Sequence, residues 1–171
     1  MSYKMKLKKN KILITGCAGF IGFHVSKIFL EKNYVVYGLD NLNNYYDVNL
    51  KKNRIKQLKK FKKFKLFKVD LSNKIQLKKI FKNYSFSKVI NLAAQAGVRY
   101  SLINPDAYVK SNLIGFCNLI ELSKTYKIKH FIYASTSSVY GMNTKQPLSE
   151  KDAVDNPIQF YAATKKSCEV M

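Results

Sequence analysis

The stretch Lys11-Ile-Leu-Ile-Thr-Gly16-Cys-Ala-Gly19-Phe-Ile-Gly22 decides the fold of this chain. A short apolar run ends at a glycine-rich turn, and residues 20–32 continue with apolar side chains at helical spacing. In such a unit the first glycine permits the tight turn, the second lets a pyrophosphate approach the backbone, and the third lets helix and strand pack closely. The helix N-terminus offers N–H groups and a positive dipole end to the anion. The stretch therefore predicts a dinucleotide-binding βα unit.

Strand and helix patterns alternate along the rest of the chain, which predicts parallel βαβ units. The predicted strands cover residues 11–15, 34–39, 64–69, 88–92 and 130–134. The predicted helices cover residues 20–32, 49–60, about 73–83 with Ser72 or Asn73 as cap, 106–126 after Pro105, and about 158 to the end. We expect an α/β fold of the Rossmann type, a doubly wound parallel sheet with helices on both faces, as one domain over residues 1–171.

Two carboxylates follow predicted strands and are candidates for the adenosine end of the site. Asp40 ends the second strand, eighteen residues after Gly22. A carboxylate at this place accepts hydrogen bonds from ribose hydroxyls and repels a 2′-phosphate, which favours NAD over NADP. Asp70 follows the third strand, where contact with adenine and capping of the next helix both remain open.

Tyr161 and Lys165 lie four residues apart in the last predicted helix, which places both side chains on one face. A nearby ammonium favours the phenolate and brings the pKa of a tyrosine toward the working range of a base. The hydroxyl run Ser135-Thr-Ser-Ser138 follows the fifth strand and, in a parallel sheet, would stand beside Tyr161 at the ligand crevice. Ordinary turn chemistry is the alternative for Ser137 and Ser138.

The net charge of +21 suggests nucleic acid or an anionic surface, but its make-up argues against both. Of 31 basic residues only Arg54 and Arg99 are arginine, the residue that phosphate and base recognition favour. The most biased stretch, residues 51–68, holds ten basic residues and no acid. We interpret it as a solvated helix face and edge strand away from the crevice, with an anion-binding surface as the alternative.

Other classes of protein are disfavoured by what the sequence lacks. Three widely spaced cysteines, Cys17, Cys117 and Cys168, fit neither a disulfide framework nor a zinc site, so a cytoplasmic location is expected. Two histidines are too few for a histidine cluster, and we expect no metal. No run approaches the roughly 18 apolar residues of a spanning helix, and glycines interrupt any signal-like segment.

The chain resembles the amino-terminal part of the NAD-dependent epimerase/dehydratase family, the extended short-chain dehydrogenases/reductases that modify nucleotide sugars. The glycine loop and Tyr161–Lys165 mark only the superfamily. More specific is the similarity to UDP-glucuronate 4-epimerases in Asp40-Asn-Leu-Asn-Asn-Tyr-Tyr-Asp47, Asn91-Leu-Ala-Ala-Gln-Ala-Gly-Val-Arg-Tyr-Ser101 and Ser111-Asn-Leu-Ile-Gly115.

This resemblance implies a set of functional residues. The catalytic residues it implies are Thr136, Tyr161 and Lys165. The NAD-binding residues are Gly16, Gly19, Phe20, Ile21, Gly22, Asp40, Asp70, Leu71, Leu92, Ala93, Ala94, Gln95, Asn112, Tyr161 and Lys165. The substrate-binding residues are Arg99, Thr136, Ser137, Ser138 and Tyr161. For Arg99 a plain surface cation is the alternative.

The family reaction is epimerisation at the sugar C4 through a 4-keto sugar, with NAD retained and Tyr161 as base. Related dehydratases carry carboxyl groups directly after the threonine, whereas Ser137 and Ser138 stand there in this chain. Without those proton-transfer groups elimination is disfavoured, and neutral hydroxyls suit a C6 carboxylate. We expect interconversion of UDP-glucuronate and UDP-galacturonate. The alternatives are UDP-glucose 4-epimerase or another nucleotide-sugar epimerase/dehydratase, and a non-catalytic NAD-binding or nucleic-acid-binding domain.

In the resembled family a further strand and a smaller substrate-binding region follow the helix that carries Tyr161 and Lys165. We therefore expect this chain to be an amino-terminal fragment that ends within that helix, lacks the substrate region, and does not epimerise alone. The resemblance also implies a homodimer of the longer protein through the Asp106–Tyr126 helix and the Tyr161 helix, with a UDP-sugar as the other partner.

Overall fold

A computed structural model describes residues 10–171 and shows a single parallel sheet. Its five strands follow the order β3-β2-β1-β4-β5. The strands are β1 (Lys11–Thr15), β2 (Val35–Asp40), β3 (Phe64–Lys68), β4 (Lys88–Asn91) and β5 (His130–Tyr133). The strand order turns at β1 and β4, and ligands of such sheets bind beyond the carboxyl ends of the strands at this switch point.

Helices connect the strands, and each βα unit of the sequence prediction is present. The α-helices are α1 (Phe20–Glu31), α2 (Val48–Leu58), α3 (Lys74–Asn83), α4 (Tyr100–Ile103), α5 (Pro105–Tyr108), α6 (Gly115–Thr125) and α7 (Phe160–Val170). A π-helical segment covers Val109–Ile114 and a 3₁₀ helix covers Ser137–Tyr140. Asn73 is the N-cap of α3, and its side chain accepts the Gln76 N–H at 3.0 Å.

Both faces of the sheet are buried, as the doubly wound prediction requires. Successive side chains of β1 point to opposite faces. Leu13 therefore packs with Leu77 and Leu119, from α3 and α6, while Ile12 and Ile14 pack in a second core with side chains of α1 and α2. Helices on both faces confirm the predicted fold class.

The prediction of one continuous helix over residues 106–126 is wrong in its middle part. The α-helical path is interrupted by the π-helical segment Val109–Ile114 before α6 begins. This wider turn carries the buried Asn112, whose side chain bonds to Gln95 and Thr164. Apolar periodicity cannot reveal such a turn, because tertiary hydrogen bonds accompany it. The structure also adds α4 and the 3₁₀ helix in segments that were predicted as loop.

Among the helices of residues 10–171, none is long and apolar enough to cross a membrane.

Candidate functional site

A cleft opens beyond the carboxyl ends of β1, β2 and β4, at the switch point of the sheet. Its walls come from the glycine loop, the segment after β2, the turn after β3 and the segment after β4. It is lined by Gly16, Gly19, Leu39, Asp40, Asn41, Asn43, Tyr45, Tyr46, Lys51, Val69, Asp70, Leu71, Leu92, Ala93, Ala94, Gln95 and Ser111.

The three glycines of the loop each meet a different constraint. Gly16 has φ +69°, and a Cβ there would stand 2.7 Å from the Ala93 nitrogen, so both conformation and space require glycine. A Cβ on Gly22 would overlap the Gly16 carbonyl oxygen. A Cβ on Gly19 would lie 3.1 Å from that oxygen. Gly16 and Gly22 therefore serve close packing, although Gly16 also lines the cleft, whereas Gly19 lines the cleft without so close a backbone contact.

The glycine loop leads directly into α1. Gly19 is the N-cap residue of this helix and offers no side-chain cap. The N–H groups of the first turn, which includes Phe20 and Ile21, have no intrahelical acceptor and form an anion site. The side chains of Phe20 and Ile21 are exposed, so any contact of these residues with a phosphate comes from the backbone.

Asp40 ties the end of β2 to the glycine loop. Its carboxylate accepts the Ala18 N–H at 3.1 Å and the Leu42 N–H at 2.9 Å, and the residue is only 7 % exposed. Each carboxylate oxygen can accept more than one hydrogen bond. Because Asp40 also lines the cleft, it can hold the loop and accept from a ligand hydroxyl at once.

Asp70 lines the cleft and does not cap α3, because Asn73 occupies the cap position. Its carboxylate accepts from the Asn41 side-chain amide at 2.7 Å and from the N–H and hydroxyl of Ser72 at 2.9 and 2.7 Å. Burial acts to raise the pKa of Asp70, but these hydrogen bonds and the charge of Lys110 lower it overall. Asp70 is therefore an ionised acceptor at the cleft wall.

The segment after β4 runs along the cleft and is held from behind by Asn112. The Asn112 side chain accepts the Gln95 N–H at 2.8 Å and donates to the Gln95 carbonyl at 3.0 Å and the Thr164 hydroxyl at 3.1 Å. Asn112 is buried and is not part of the cleft wall, to which its neighbour Ser111 belongs. The structure thus places Asn112 as a link between the Gln95 segment and α7.

The residues predicted as catalytic lie on two elements that pack together after β5, the 3₁₀ helix that Thr136 begins and α7, which carries Tyr161 and Lys165. The Lys165 ammonium donates to the Ala134 carbonyl at 2.6 Å, and burial lowers the pKa of this lysine. The Thr136 hydroxyl accepts the Ser138 N–H at 3.2 Å and begins the 3₁₀ helix, against which α7 packs. Tyr161 lies one turn before Lys165, and its N–H donates to the Ser101 hydroxyl at 3.2 Å. These residues flank the cleft without belonging to its lining.

The predicted substrate-binding residues are open to solvent to different degrees. Ser137 and Arg99 are exposed, and Ser138 is half-buried. Within residues 10–171, the Arg99 side chain makes no hydrogen bond or ion pair, while its carbonyl accepts the Leu102 N–H at 3.2 Å. The same residues contain no group of three or more His, Cys, Asp or Glu side chains that could hold a metal ion, and the three cysteines are unpaired.

Sequence reasoning missed the cleft residues after Asp40, and it misplaced part of the basic stretch 51–68. Asn43, Tyr45, Tyr46 and Lys51 all line the cleft. The expectation that the basic stretch lies away from the crevice is therefore wrong for Lys51, which is 4 % exposed. The available signal was helical spacing, since Lys51 shares the buried face of α2 with two apolar residues, Ile55 and Leu58.

Comparison with known proteins adds to this geometry. The family model described as GDP-mannose 4,6 dehydratase matches residues 13–171. A probable UDP-glucuronate 4-epimerase of Rhizobium meliloti is 48 % identical over 161 residues, which are 94 % of this chain and 47 % of the relative. The chain spans about half the length of the first curated relatives it matches.

Solved structures of nucleotide-sugar 4-epimerases are also similar to this chain. The UDP-glucuronic acid 4-epimerase of Bacillus cereus, in complex with UDP-glucuronic acid and NAD, superposes with a TM-score of 0.83 at 35 % identity, covering 94 % of this chain and 50 % of the other. The UDP-Glc/GlcNAc 4-epimerase of Campylobacter jejuni superposes with a TM-score of 0.86 at 33 % identity, covering 94 % and 47 %.

Proposed function

Since the chain belongs to the GDP-mannose 4,6 dehydratase family, we propose that it forms the NAD-binding part of a nucleotide-sugar 4-epimerase that interconverts UDP-glucuronate and UDP-galacturonate. The observation that carries the proposal is the bond from Lys165 to the Ala134 carbonyl. This bond ties α7, which carries Tyr161, to the end of β5, where α7 packs against the 3₁₀ helix that Thr136 begins. In our proposal a base, its ammonium and a hydroxyl act together there, and the cofactor occupies the cleft that starts at the glycine loop.

The residues of the cleft fit NAD. The open side of Gly19 and the first turn of α1 suit a pyrophosphate, because no side chain blocks the backbone N–H groups there. The Asp40 carboxylate lies at the end of β2, where it suits the adenine ribose and disfavours the added phosphate of NADP. Asp70, Leu71 and residues 92–95 all line the cleft. In our proposal the first two contact the adenine ring, and residues 92–95 follow the path of the cofactor.

When bound, NAD would supply a hydride acceptor that takes a hydride from the sugar C4 and later returns it. Tyr161 is the base that takes the proton of the C4 hydroxyl and later returns it. In our proposal Lys165, one helical turn after Tyr161 and held at the Ala134 carbonyl, supplies the positive charge of the site. The hydroxyl of Thr136 donates to O4 and steadies the proton during transfer.

The choice of a uronate rests on the residues after Thr136. Ser137 and Ser138 offer hydroxyls where dehydratase chemistry needs carboxyl groups, and neutral donors suit a C6 carboxylate. We assign Arg99, exposed beside the Gln95 segment, to the sugar nucleotide as well. UDP-glucose is the second candidate substrate, favoured by the similarity to the Campylobacter jejuni enzyme.

The test needs a protein that carries this chain together with the second half found in its relatives. We expect turnover of UDP-glucuronate, a slower reaction with UDP-glucose, and a loss of at least about a hundredfold in kcat for Tyr161→Phe. NAD affinity measured on the same variant is the control, and it should stay near the wild-type value. Equal rates for wild type and Tyr161→Phe would remove Tyr161 as the base, and faster turnover of UDP-glucose would favour the second candidate.

Three further expectations belong to this proposal. The 171-residue chain alone binds NAD but does not turn over UDP-glucuronate, because most substrate contacts belong to the other half. The longer protein forms a homodimer through the α6 and α7 face, binds no nucleic acid, and works in the cytoplasm, which its unpaired cysteines support. Detectable turnover by the purified 171-residue chain would contradict the first expectation.

A further inference from the structure

A groove separate from the cleft lies between α2 and β3. It has a volume of about 340 Å³ and shares no lining residue with the cleft. Its floor is apolar, because Ile55 is buried there and Leu42 and Leu66 are half-buried against the same core. Its rim is cationic and consists of exposed lysines of α2 and its C-cap, namely Lys52, Lys56 and Lys59. This combination suits a ligand that carries both apolar and negatively charged groups.

The rim lysines have no partner within the chain. Across residues 10–171, the side chains of these three lysines make no ion pair and no hydrogen bond. The stretch 51–68 also contains no acid, so neither α2 beyond its third residue nor β3 offers a carboxylate to them. The groove therefore carries three positive charges that no ion pair offsets, and such a surface attracts anionic groups.

The strand beside the groove lies at the edge of the sheet. Among the described strands, β3 pairs only with β2, so part of its backbone N–H and C=O groups is open to another strand. Leu66 of β3 packs on the α2 side of the sheet, and the side chains of an added strand would alternate between the two faces in the same way. Every second side chain of an added strand would thus reach the level of the groove. In this mode of recognition the main chain gives affinity and the pocket gives specificity.

The charge of this edge decides which kind of chain fits. Lys65 and Lys68 are exposed on β3 itself, and together with the rim they would repel a second copy of the same edge. A membrane surface is too flat to reach the floor of the groove. Nucleic acid offers no aliphatic group for that floor, and its phosphates favour arginine, which the rim lacks. An acidic polypeptide with apolar side chains meets both requirements.

We propose that the groove between α2 and β3 docks an extended acidic segment of a partner protein. The segment adds a strand to β3, places an apolar side chain over Ile55 and Leu66, and pairs its carboxylates with the rim lysines. This role gives the basic stretch 51–68 a binding function outside the cleft. It is independent of the proposed NAD site, because no residue of the groove lines the cleft.

Titration of the 171-residue chain with a labelled peptide that alternates glutamate and leucine tests this role. We expect the triple variant Lys52→Glu, Lys56→Glu, Lys59→Glu to weaken binding at least about tenfold, because attraction at the rim becomes repulsion. The matched control is Lys78→Glu, Lys79→Glu, Lys82→Glu, which changes the net charge equally at exposed positions of α3, on the other face of the sheet. The control should stay within about twofold of wild type. Equal weakening by both triple variants would overturn the proposal, since it would show a general attraction to the +21 charge.

Changes in the peptide give a second reading that needs no altered protein. Serine in place of leucine should weaken binding at least about fivefold, because the apolar floor then remains uncovered. Amide exchange at residues 64–68 should slow in the complex, as an added strand requires. Unchanged exchange there, equal binding of the serine peptide, or no binding up to roughly 1 mM peptide would each overturn the proposal. Tighter binding of duplex DNA than of the peptide, lost in the rim variant, would assign the groove to nucleic acid instead.

Discussion

The glycine-loop end of the cleft and the carboxyl end of β5 are held together by different means. Around Gly16 and Gly22 the backbone itself is in close contact, and no side chain larger than hydrogen fits. At the end of β5 the anchors are side chains, chiefly Lys165 on the Ala134 carbonyl and Ser135 on the Glu169 carboxylate. The glycine loop therefore depends on backbone packing, whereas the end of β5 depends on a few side-chain hydrogen bonds.

The largest expected effect comes from Gly22→Ala, which forces a methyl group against the Gly16 carbonyl oxygen. Because the atoms on both sides belong to the backbone, they can move apart only at a high energetic cost. We therefore expect the free energy of unfolding to fall by about 3 kcal/mol. Chemical denaturation of the 171-residue chain measures this loss.

Gly19→Ala is the matched control, because its methyl group would point to the cleft at 3.1 Å from the same oxygen. We expect a loss of stability below about 1 kcal/mol together with a clear loss of NAD affinity, since the methyl group stands where the pyrophosphate approaches. If both variants lose stability equally, the distinction between packing and binding glycines is wrong.

An intermediate effect is expected at Asn112, which links the Gln95 segment after β4 to α7. Asn112→Ala leaves the Gln95 N–H and carbonyl without their partner, and unfolding should become easier by about 2 kcal/mol. Amide hydrogen exchange should accelerate at Gln95 and in α7, because the bond to Thr164 is lost as well.

Asn118→Ala serves as the comparison for Asn112. Asn118 is also a buried asparagine, but its side-chain amide donates to the Leu71 and Ser72 carbonyls and not to α7. A similar loss of stability without faster exchange in α7 is expected. Equal acceleration in α7 for both variants would mean that Asn112 is not the specific link between the Gln95 segment and α7.

The smallest effect concerns pH and Asp70. Because the pKa of Asp70 is lowered in the folded chain, its contribution to stability is present above the unfolded value of about 3.9 and is lost as the pH falls through the folded pKa. Asp70→Asn removes this contribution, which we place below about 1 kcal/mol because the group is partly exposed. Melting temperatures between pH 2.5 and 6 should therefore fall less steeply for the variant, and identical slopes would contradict the assignment.

Much of the fold was predictable because its signals are local. The glycine spacing and Asp40 at a strand end lie within the first forty residues, each strand is one short apolar run, and the structure gives each the predicted place. The π-helical turn at Asn112 was not predictable, since its partners are 17 and 52 residues away in sequence. The sequence allows either Ser72 or Asn73 as the N-cap of α3, and in the structure the N-cap is Asn73.

The candidate site divides in the same way. Residue types and spacing predict Tyr161 and Lys165 as a base and its ammonium, and the structure places both residues one turn apart in α7. Composition alone made the basic stretch 51–68 look like a solvated surface. Only the packing of α2 against the segment after β2 separated Lys51 from its exposed neighbours Lys52 and Lys56.

By itself, the sequence determined the parallel α/β fold, the glycine loop and the pairing of Tyr161 with Lys165, since each follows from periodicity or short spacing. Tertiary structure alone decided that Asn112 faces Gln95, that Asp70 lines the cleft, and that Lys51 is buried beside Tyr46. The physical reason is that burial and long-range hydrogen bonds depend on which helix face packs against which strand end. The identity of a basic residue in the sequence does not reveal that packing.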